Sequence, residues 1–154
     1  MASVKVKISR VRNLPALPRY FHHGDSGMDL SNSGDEIVLK PFQRALVPTG
    51  IKVAIPSGYE LQIRPRSGLA LREGLTVLNT PGTIDSGYRG EVGVVVYNTD
   101  PQKSIHIKTG QRVAQAVLKK IEIIEWEEVN EDELDQTCRK EGGFGSTGAE
   151  IKTD

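Results

Sequence analysis

The 154-residue chain has one cysteine, Cys138, so no internal disulfide can staple it, and that fits a reducing compartment such as the cytoplasm. It has no excess of either charge: twenty Lys and Arg balance twenty Asp and Glu. The electropositive excess that would suggest nucleic acid or an anionic membrane as partner is missing, so neither is expected, and an anionic ligand must be held by local groups. No apolar run approaches membrane-spanning length. The stretch from Met1 to Arg10 alternates Val4, Val6 and Ile8 with Lys5 and Lys7, which is not the continuous apolar block of a signal peptide. Familiar catalytic signatures are also lacking, with no GxxxxGK[ST] loop, GxSxG elbow, HExxH or paired CxxC, and the commonest nucleotide-hydrolase architectures fall away with them. The three histidines, His22, His23 and His106, lack metal-ligand spacing, and His106 between Ile105 and Ile107 reads as a solvent-facing strand residue.

What the chain does have is length for one domain with a core of its own, and a period-two apolar pattern. The alternation recurs at Val4, Val6, Ile8, at Ile51, Val53, Ile55, at Leu61 and Ile63, at Ile105 and Ile107, and at Ile121 and Ile123. Turn formers such as Pro48-Thr49-Gly50, Pro56-Ser57-Gly58, Pro81-Gly82 and Thr109-Gly110 punctuate these runs. Many short strands joined by turns, with one helical turn near Ser67 to Glu73 and another from Asn130 to Thr137, predict an all-β barrel or jelly roll. Val92, Val94, Val95 and Val96 are apolar on both faces of a strand, which predicts burial on both sides by a core or an oligomer axis. Past Arg139 the chain is too poor in apolar residues to fold by itself, yet Phe144 stands among four glycines of a GGFGSTG tail.

Five polar, glycine-flanked islands lie between the strands, where a β-scaffold presents hydroxyls and backbone N–H groups to a ligand. In the first, Ser26-Gly27-Met28-Asp29-Leu30, Asp29 can support a hydrated cation, although such an aspartate is more often a turn residue. In the second, Arg64 to Ala70, a cation, a hydroxyl and a glycine precede the helical turn in a pattern suited to phosphate. The third, Val77 to Glu91, reads as a hairpin-shaped pocket. There Asn79 offers the donors and acceptor that tell uracil from cytosine, Gly82 admits a flat base, Asp85 can orient or deprotonate a water, and Tyr88 supplies a ring to pack beneath a deoxyribose. In the fourth, Gln115 can donate to phosphate, with Arg112 as a structural ion-pair partner. The fifth is the tail, where Arg139 can pair with phosphate, Phe144 can stack on a base, and Ser146 and Thr147 can bond phosphate oxygens. Each residue alone is more often structural; order and spacing together carry the argument.

From about Gly24 to Gly148 these islands resemble the five motifs of the trimeric dUTPase family. The resemblance implies a jelly-roll-like β-barrel over residues 1–138, a C-terminal arm over 139–154 that closes over the site, and a homotrimer in which three copies build three shared sites. It implies hydrolysis of dUTP to dUMP and pyrophosphate by in-line water attack on the α-phosphate, which limits uracil incorporation into DNA and supplies dUMP for thymidylate synthesis. By the same resemblance Asn79 and the backbone of Gly82, Thr83 and Ile84 read uracil, Tyr88 excludes ribonucleotides, and Asp85 aims the water. Arg66, Ser67, Gly68 and Gln115 hold phosphates, while Arg139, Phe144, Gly145, Ser146 and Thr147 join from the arm. Mg²⁺ is expected on the triphosphate, with Asp29 touching it through water.

This sequence departs from the family pattern in carrying Ser26 in place of the usual Ala, a short loop after Asp29, Lys140 in place of the usual Gly, and Gly93 where a larger side chain is common. Two rival readings are a dCTP deaminase, which needs a water-activating glutamate aimed at the base and has no use for a GGFGSTG arm, and a binding protein built on the same scaffold. Asp85, Tyr88 and Phe144 weigh against the second.

Overall fold

A computed structural model describes residues 3–14 and 16–142 of the chain. Phe144, Gly145, Ser146 and Thr147 lie outside them. The chain divides into two compact units, Met1–Ile123 and Ile124–Asp154. In the first, the alternating segments become strands β1 (Lys7–Arg10), β2 (Met28–Ser31), β3 (Ile37–Leu39), β4 (Arg44–Pro48), β5 (Ile51–Ala54), β6 (Tyr59–Pro65), β7 (Leu75–Val77), β8 (Gly82–Ile84), β9 (Gly93–Asn98), β10 (Ile105–Ile107) and β11 (Arg112–Lys120). Every ladder is antiparallel, in four sheets of order β1-β5, β10-β3, β2-β11-β6-β8 and β4-β9-β7. The architecture is all-β and jelly-roll-like, and the ladders remain open sheets without closing into one ring.

Side chains of alternate residues point to opposite faces of a strand, and the inward set forms the core. Ile51, Val53, Leu61, Ile63, Ile105 and Ile107 are buried, and Val47, Val92, Val94 and Val96 are sealed from solvent. Each such side chain contributes about 1.5–3 kcal/mol by leaving water. Burial of β9 on both faces does not occur within one chain: Gly93, Val95 and Tyr97 are half-buried. Gly93 leaves room that Leu46 fills from β4, since a Cβ at Gly93 would stand 2.7 Å from Leu46 Cδ1. The side chain that this strand lacks is thus replaced by a neighbour's. The expected strand at Ile121 and Ile123 does not form either, because β6 begins at Tyr59, the partner of Lys120, and offers no backbone beyond the turn that precedes it. One bond, Ile121 N–H to Gly58 O at 3.0 Å, extends the ladder before it ends.

The helical turn forms where expected, as α1 (Ser67–Glu73). Arg66 is still extended at its start, and Gly74 stops it at φ +69°, a left-handed conformation that costs glycine little, with its N–H returned to Ala70 O. Two buried asparagines tie loops together where no strand reaches. The Asn32 amide donates to Asp35 O at 2.8 Å and accepts from Gly34 N–H at 2.9 Å, while its backbone exchanges bonds with Gln111 and Gly110, so the loop after β2 is joined to the turn before β11. Asn98 likewise donates to Leu39 O and Lys103 O. In the second unit the helical turn expected between Asn130 and Thr137 is a 3₁₀ turn, Glu131–Glu133, capped by reciprocal Asn130–Glu133 bonds. Four acidic residues with little apolar content give a longer helix no face to bury.

Candidate active site

Strand β11 is central to its sheet, flanked by β2 and β6, and brings two of the islands together. A β-bulge between Arg112 and Ala114 resets its register, after which Gln115 stands opposite Asp29 on one side and Arg64 on the other. The Gln115 amide nitrogen donates to Pro65 O at 3.0 Å, and the side chain lies against Gly27, where a Cβ would collide with its Oε1. Glycine at 27 is therefore what admits Gln115 to this position, and the second amide hydrogen remains available to a ligand.

Just beyond β6, Arg66, Ser67 and Gly68 open α1 beside the same strand pair. Together with Asp29 and Gln115 they line an open cleft of about 540 Å³. Asp29 is held between two guanidiniums: Arg66 Nε at 2.8 Å from Oδ1, and Arg112 Nη1 at 3.0 Å from Oδ2. Arg112 is thus the ion-pair partner expected of it, and it also lies over the Phe21 ring, Cζ to centroid 5.2 Å. The cleft therefore offers a charged guanidinium, a hydroxyl and an amide in one place, a donor set matched to phosphate oxygens.

Five further residues line this cleft that sequence reasoning did not assign to it: Arg19, Phe21, His22, Asp25 and Arg72. The Asp25 carboxylate accepts from the N–H groups of Phe21 (3.2 Å) and His22 (2.7 Å) and so shapes the loop that presents them. Arg72 has a signal in the sequence, since it stands four residues after Gly68 on α1 and on the same face. The loop residues have none, because a coil position carries no periodicity.

The third island is built differently from the hairpin expected. Strands β7 and β8 do not pair: β7 joins β9 in one sheet, and β8 joins β6 in another. The segment is a corner between sheets, and its turn from Leu78 to Pro81 includes a cis Thr80–Pro81 peptide. Gly82 is buried at the start of β8, where the Asn79 amide lies against it: a Cβ there would be 3.2 Å from Asn79 Nδ2. Thr83 and Ile84 complete β8, and Asp85 follows the last paired residue, exposed, with its carbonyl accepting the Tyr88 N–H at 3.1 Å. Arg89 clasps this turn, donating to Ser86 O and Tyr88 O at 2.7 Å each. The Tyr88 hydroxyl donates to Glu91 O at 3.0 Å. Glu91 is itself tethered, its carboxylate accepting from Arg12 Nε at 2.8 Å and Gly50 N–H at 2.9 Å. The Arg12 bond, helped by that of Gly50 and opposed by partial burial, holds the Glu91 carboxyl below the ordinary glutamate range.

One chain therefore gathers Asp29, Arg66, Ser67, Gly68 and Gln115 around a cleft, while Asn79, Gly82, Thr83, Ile84, Asp85 and Tyr88 line no part of it. In the second unit, Arg139 Nε donates to Gly142 O at 2.6 Å. Lys140, the departure from glycine, occupies φ +47°, the left-handed region that a glycine would take without strain. His106 points outward, with Nδ1 3.3 Å from Glu36. No cluster of three His, Cys, Asp or Glu suited to a metal occurs among the described residues. A divalent cation fits here only when the ligand's own oxygens supply most of its shell, because Asp29 already serves two arginines and has only its remaining lone pairs to offer. Among the described residues no helix is long and apolar enough to cross a membrane.

Comparison with known proteins bears on the family and the fold. A family model described as dUTPase matches residues 15–148. The deoxyuridine 5'-triphosphate nucleotidohydrolase of Fusobacterium nucleatum is 52% identical over 96% of this chain and 99% of its own. That of Alkaliphilus metalliredigens is 53% identical over 93% and 96%. Among solved structures, the dUTPase of Staphylococcus bacteriophage 80alpha with dUpNHpp is 27% identical, with a TM-score of 0.82 over 95% of this chain and 99% of that one.

Proposed function

The chain belongs to the dUTPase family, and from that premise we propose how it hydrolyses dUTP to dUMP and pyrophosphate: in sites shared between copies of a homotrimer. The observation that carries the shared site is the separation within one chain of a phosphate-binding cleft, around Arg66 and Gln115, from the corner that bears Asn79, Asp85 and Tyr88. The cleft of one copy would take the triphosphate while the corner of another takes base, sugar and water. The half-buried outer face of β9 is apolar at Val95 and suits contact between copies.

In this arrangement Asn79 and the backbone of Gly82, Thr83 and Ile84 pair with the uracil edge. Cytosine presents the opposite pattern of donors and acceptors and would leave buried polar groups unpaired, a discrimination of up to about 10⁴–10⁵ at comparable sites. Tyr88 occupies the space a ribose 2′-hydroxyl would need. Arg66, Ser67, Gly68 and Gln115 hold the phosphates. Asp85 aims a water at the α-phosphorus; the new bond forms from the water oxygen, the bond to the oxygen bridging the β-phosphate breaks, and pyrophosphate leaves. Mg²⁺ carried by the nucleotide would offset the triphosphate charge, with Asp29 accepting a hydrogen bond from its water. Residues 139–154 act as the arm, with Arg139, Gly145, Ser146 and Thr147 on phosphate and Phe144 on the base. The reaction takes place in the cytoplasm, where it limits uracil in DNA and supplies dUMP for thymidylate synthesis.

A panel of dUTP, dCTP, dTTP and UTP with quantified pyrophosphate tests the reading. Mg²⁺-dependent release from dUTP, with the others far poorer, is expected. Ammonia from dCTP would select deamination instead, and tight dUTP binding without turnover would select a binding protein.

A further inference from the structure

Because its hydroxyl is bonded to Glu91 O three residues on, the Tyr88 ring folds back over the chain at Gly90. The room it occupies exists only because residue 90 has no side chain: a Cβ there would collide with the Tyr88 hydroxyl and ring, with Cε2 at 2.9 Å. Nothing else could move to relieve that collision so readily as the ring itself, since Tyr88 is 44% exposed and has solvent to swing into. The anchor beneath it is firm. The Glu91 carboxylate is tied to Gly50 N–H at the entry to β5 and to Arg12 beyond β1, so the carbonyl that receives the tyrosine hydroxyl is fixed to two other segments of the fold.

We propose that Gly90 is a positioning residue that determines sugar specificity: by leaving a seat for the Tyr88 ring, it sets the plane against which a deoxyribose packs and a ribose clashes. This rests on the assignment of Tyr88 to the sugar made above. A methyl group at residue 90 lifts the ring off its seat and turns it toward solvent, which opens the space that the 2′-hydroxyl requires. The fold need not fail, since the displaced group is the far end of an exposed side chain and no backbone has to shift.

The test is a double-mutant cycle of Gly90→Ala and Tyr88→Ala in the full chain, read as the ratio of kcat/KM for UTP to that for dUTP, with thermal melting in parallel. Gly90→Ala is expected to raise the ratio about tenfold or more, the order of discrimination that one methyl-sized obstruction supplies. In the Tyr88→Ala background it is expected to change neither the ratio nor the melting temperature, because the three atoms nearest the added methyl all belong to the tyrosine side chain that is then gone. Should Gly90→Ala destabilise the protein through the collision, Tyr88→Ala restores its stability, and this also supports the seat. A raised ratio in Tyr88→Ala with none in Gly90→Ala overturns the role of Gly90 and leaves that of Tyr88 standing. Unchanged ratios in both remove the assignment of Tyr88 to the sugar, and the role of Gly90 with it. An equal loss of stability from Gly90→Ala in both backgrounds also overturns the proposal, since the methyl would then be colliding with something other than the ring.

Discussion

Replacing Asp29 by Asn separates two roles that the same carboxylate can play. Both of its oxygens are engaged by arginines, Arg66 at 2.8 Å and Arg112 at 3.0 Å. The side chains of Arg66 and Asp29 are 31% and 25% exposed, so solvent screens the pair, and each bridge contributes about 0.2–1 kcal/mol. An amide keeps one acceptor and turns its NH₂ toward the other guanidinium, so a loss of about 1 kcal/mol in stability is expected. The larger consequence is for binding. A released Arg66 must be immobilised by substrate at a cost of about 0.5–1.5 kcal/mol, which raises KM for dUTP roughly two- to thirteenfold. If Asp29 instead serves chiefly the water shell of Mg²⁺, the substitution leaves KM at saturating Mg²⁺ unchanged and shifts the Mg²⁺ concentration that gives half-maximal activity. Initial rates on a grid of dUTP and Mg²⁺ concentrations distinguish the two. A shifted Mg²⁺ requirement with unaltered KM would refute the buttressing of Arg66.

Asp85→Asn keeps nucleotide binding but lowers turnover by about 10²–10⁴-fold, the range for loss of a general base; calorimetric affinity for a non-hydrolysable analogue, set beside kcat, checks it. Deletion of residues 139–154 reduces turnover strongly while thermal melting stays near that of the full chain, and an equal fall in both would remove the arm from the site. Glu91→Gln lowers the melting temperature at neutral pH. The folded carboxyl binds its proton less readily than the unfolded one, so its contribution is complete above the ordinary glutamate range and drains away as pH falls through the lowered folded value. The melting curves of the two proteins therefore converge once the pH has fallen below the lowered folded value, and a gap that persists in acid contradicts the role of the Arg12 and Gly50 bonds.

Much of the fold was legible because strand and turn signals are local. The alternation of Ile51, Val53 and Ile55 predicted β5, and the segment from Ser67 to Glu73 predicted α1. Pairing was not legible, since it joins residues far apart. The split of β7 and β8 between two sheets follows from partners at Val96 and Ile63, and neither leaves a mark near Pro81. The same holds for Asn32 and Asn98, buried polar residues with partners far along the chain at Lys108 O and Leu39 O. At the candidate site, a common role for Asp29, Arg66 and Gln115 was implied only by the resemblance of the motifs to a known family, whereas Arg19, Phe21 and His22 belong to a loop with no periodicity to read. Apolar alternation at Ile121 and Ile123 misled because pattern does not reveal that β6 has run out of backbone to pair with.

In the proposed reaction water attacks the α-phosphorus of dUTP. A single turnover in H₂¹⁸O, with products resolved by mass, tests it most directly. One ¹⁸O in the phosphate of dUMP and none in pyrophosphate is the expected result; label in pyrophosphate, or dUTP left intact with Mg²⁺ present, would contradict it.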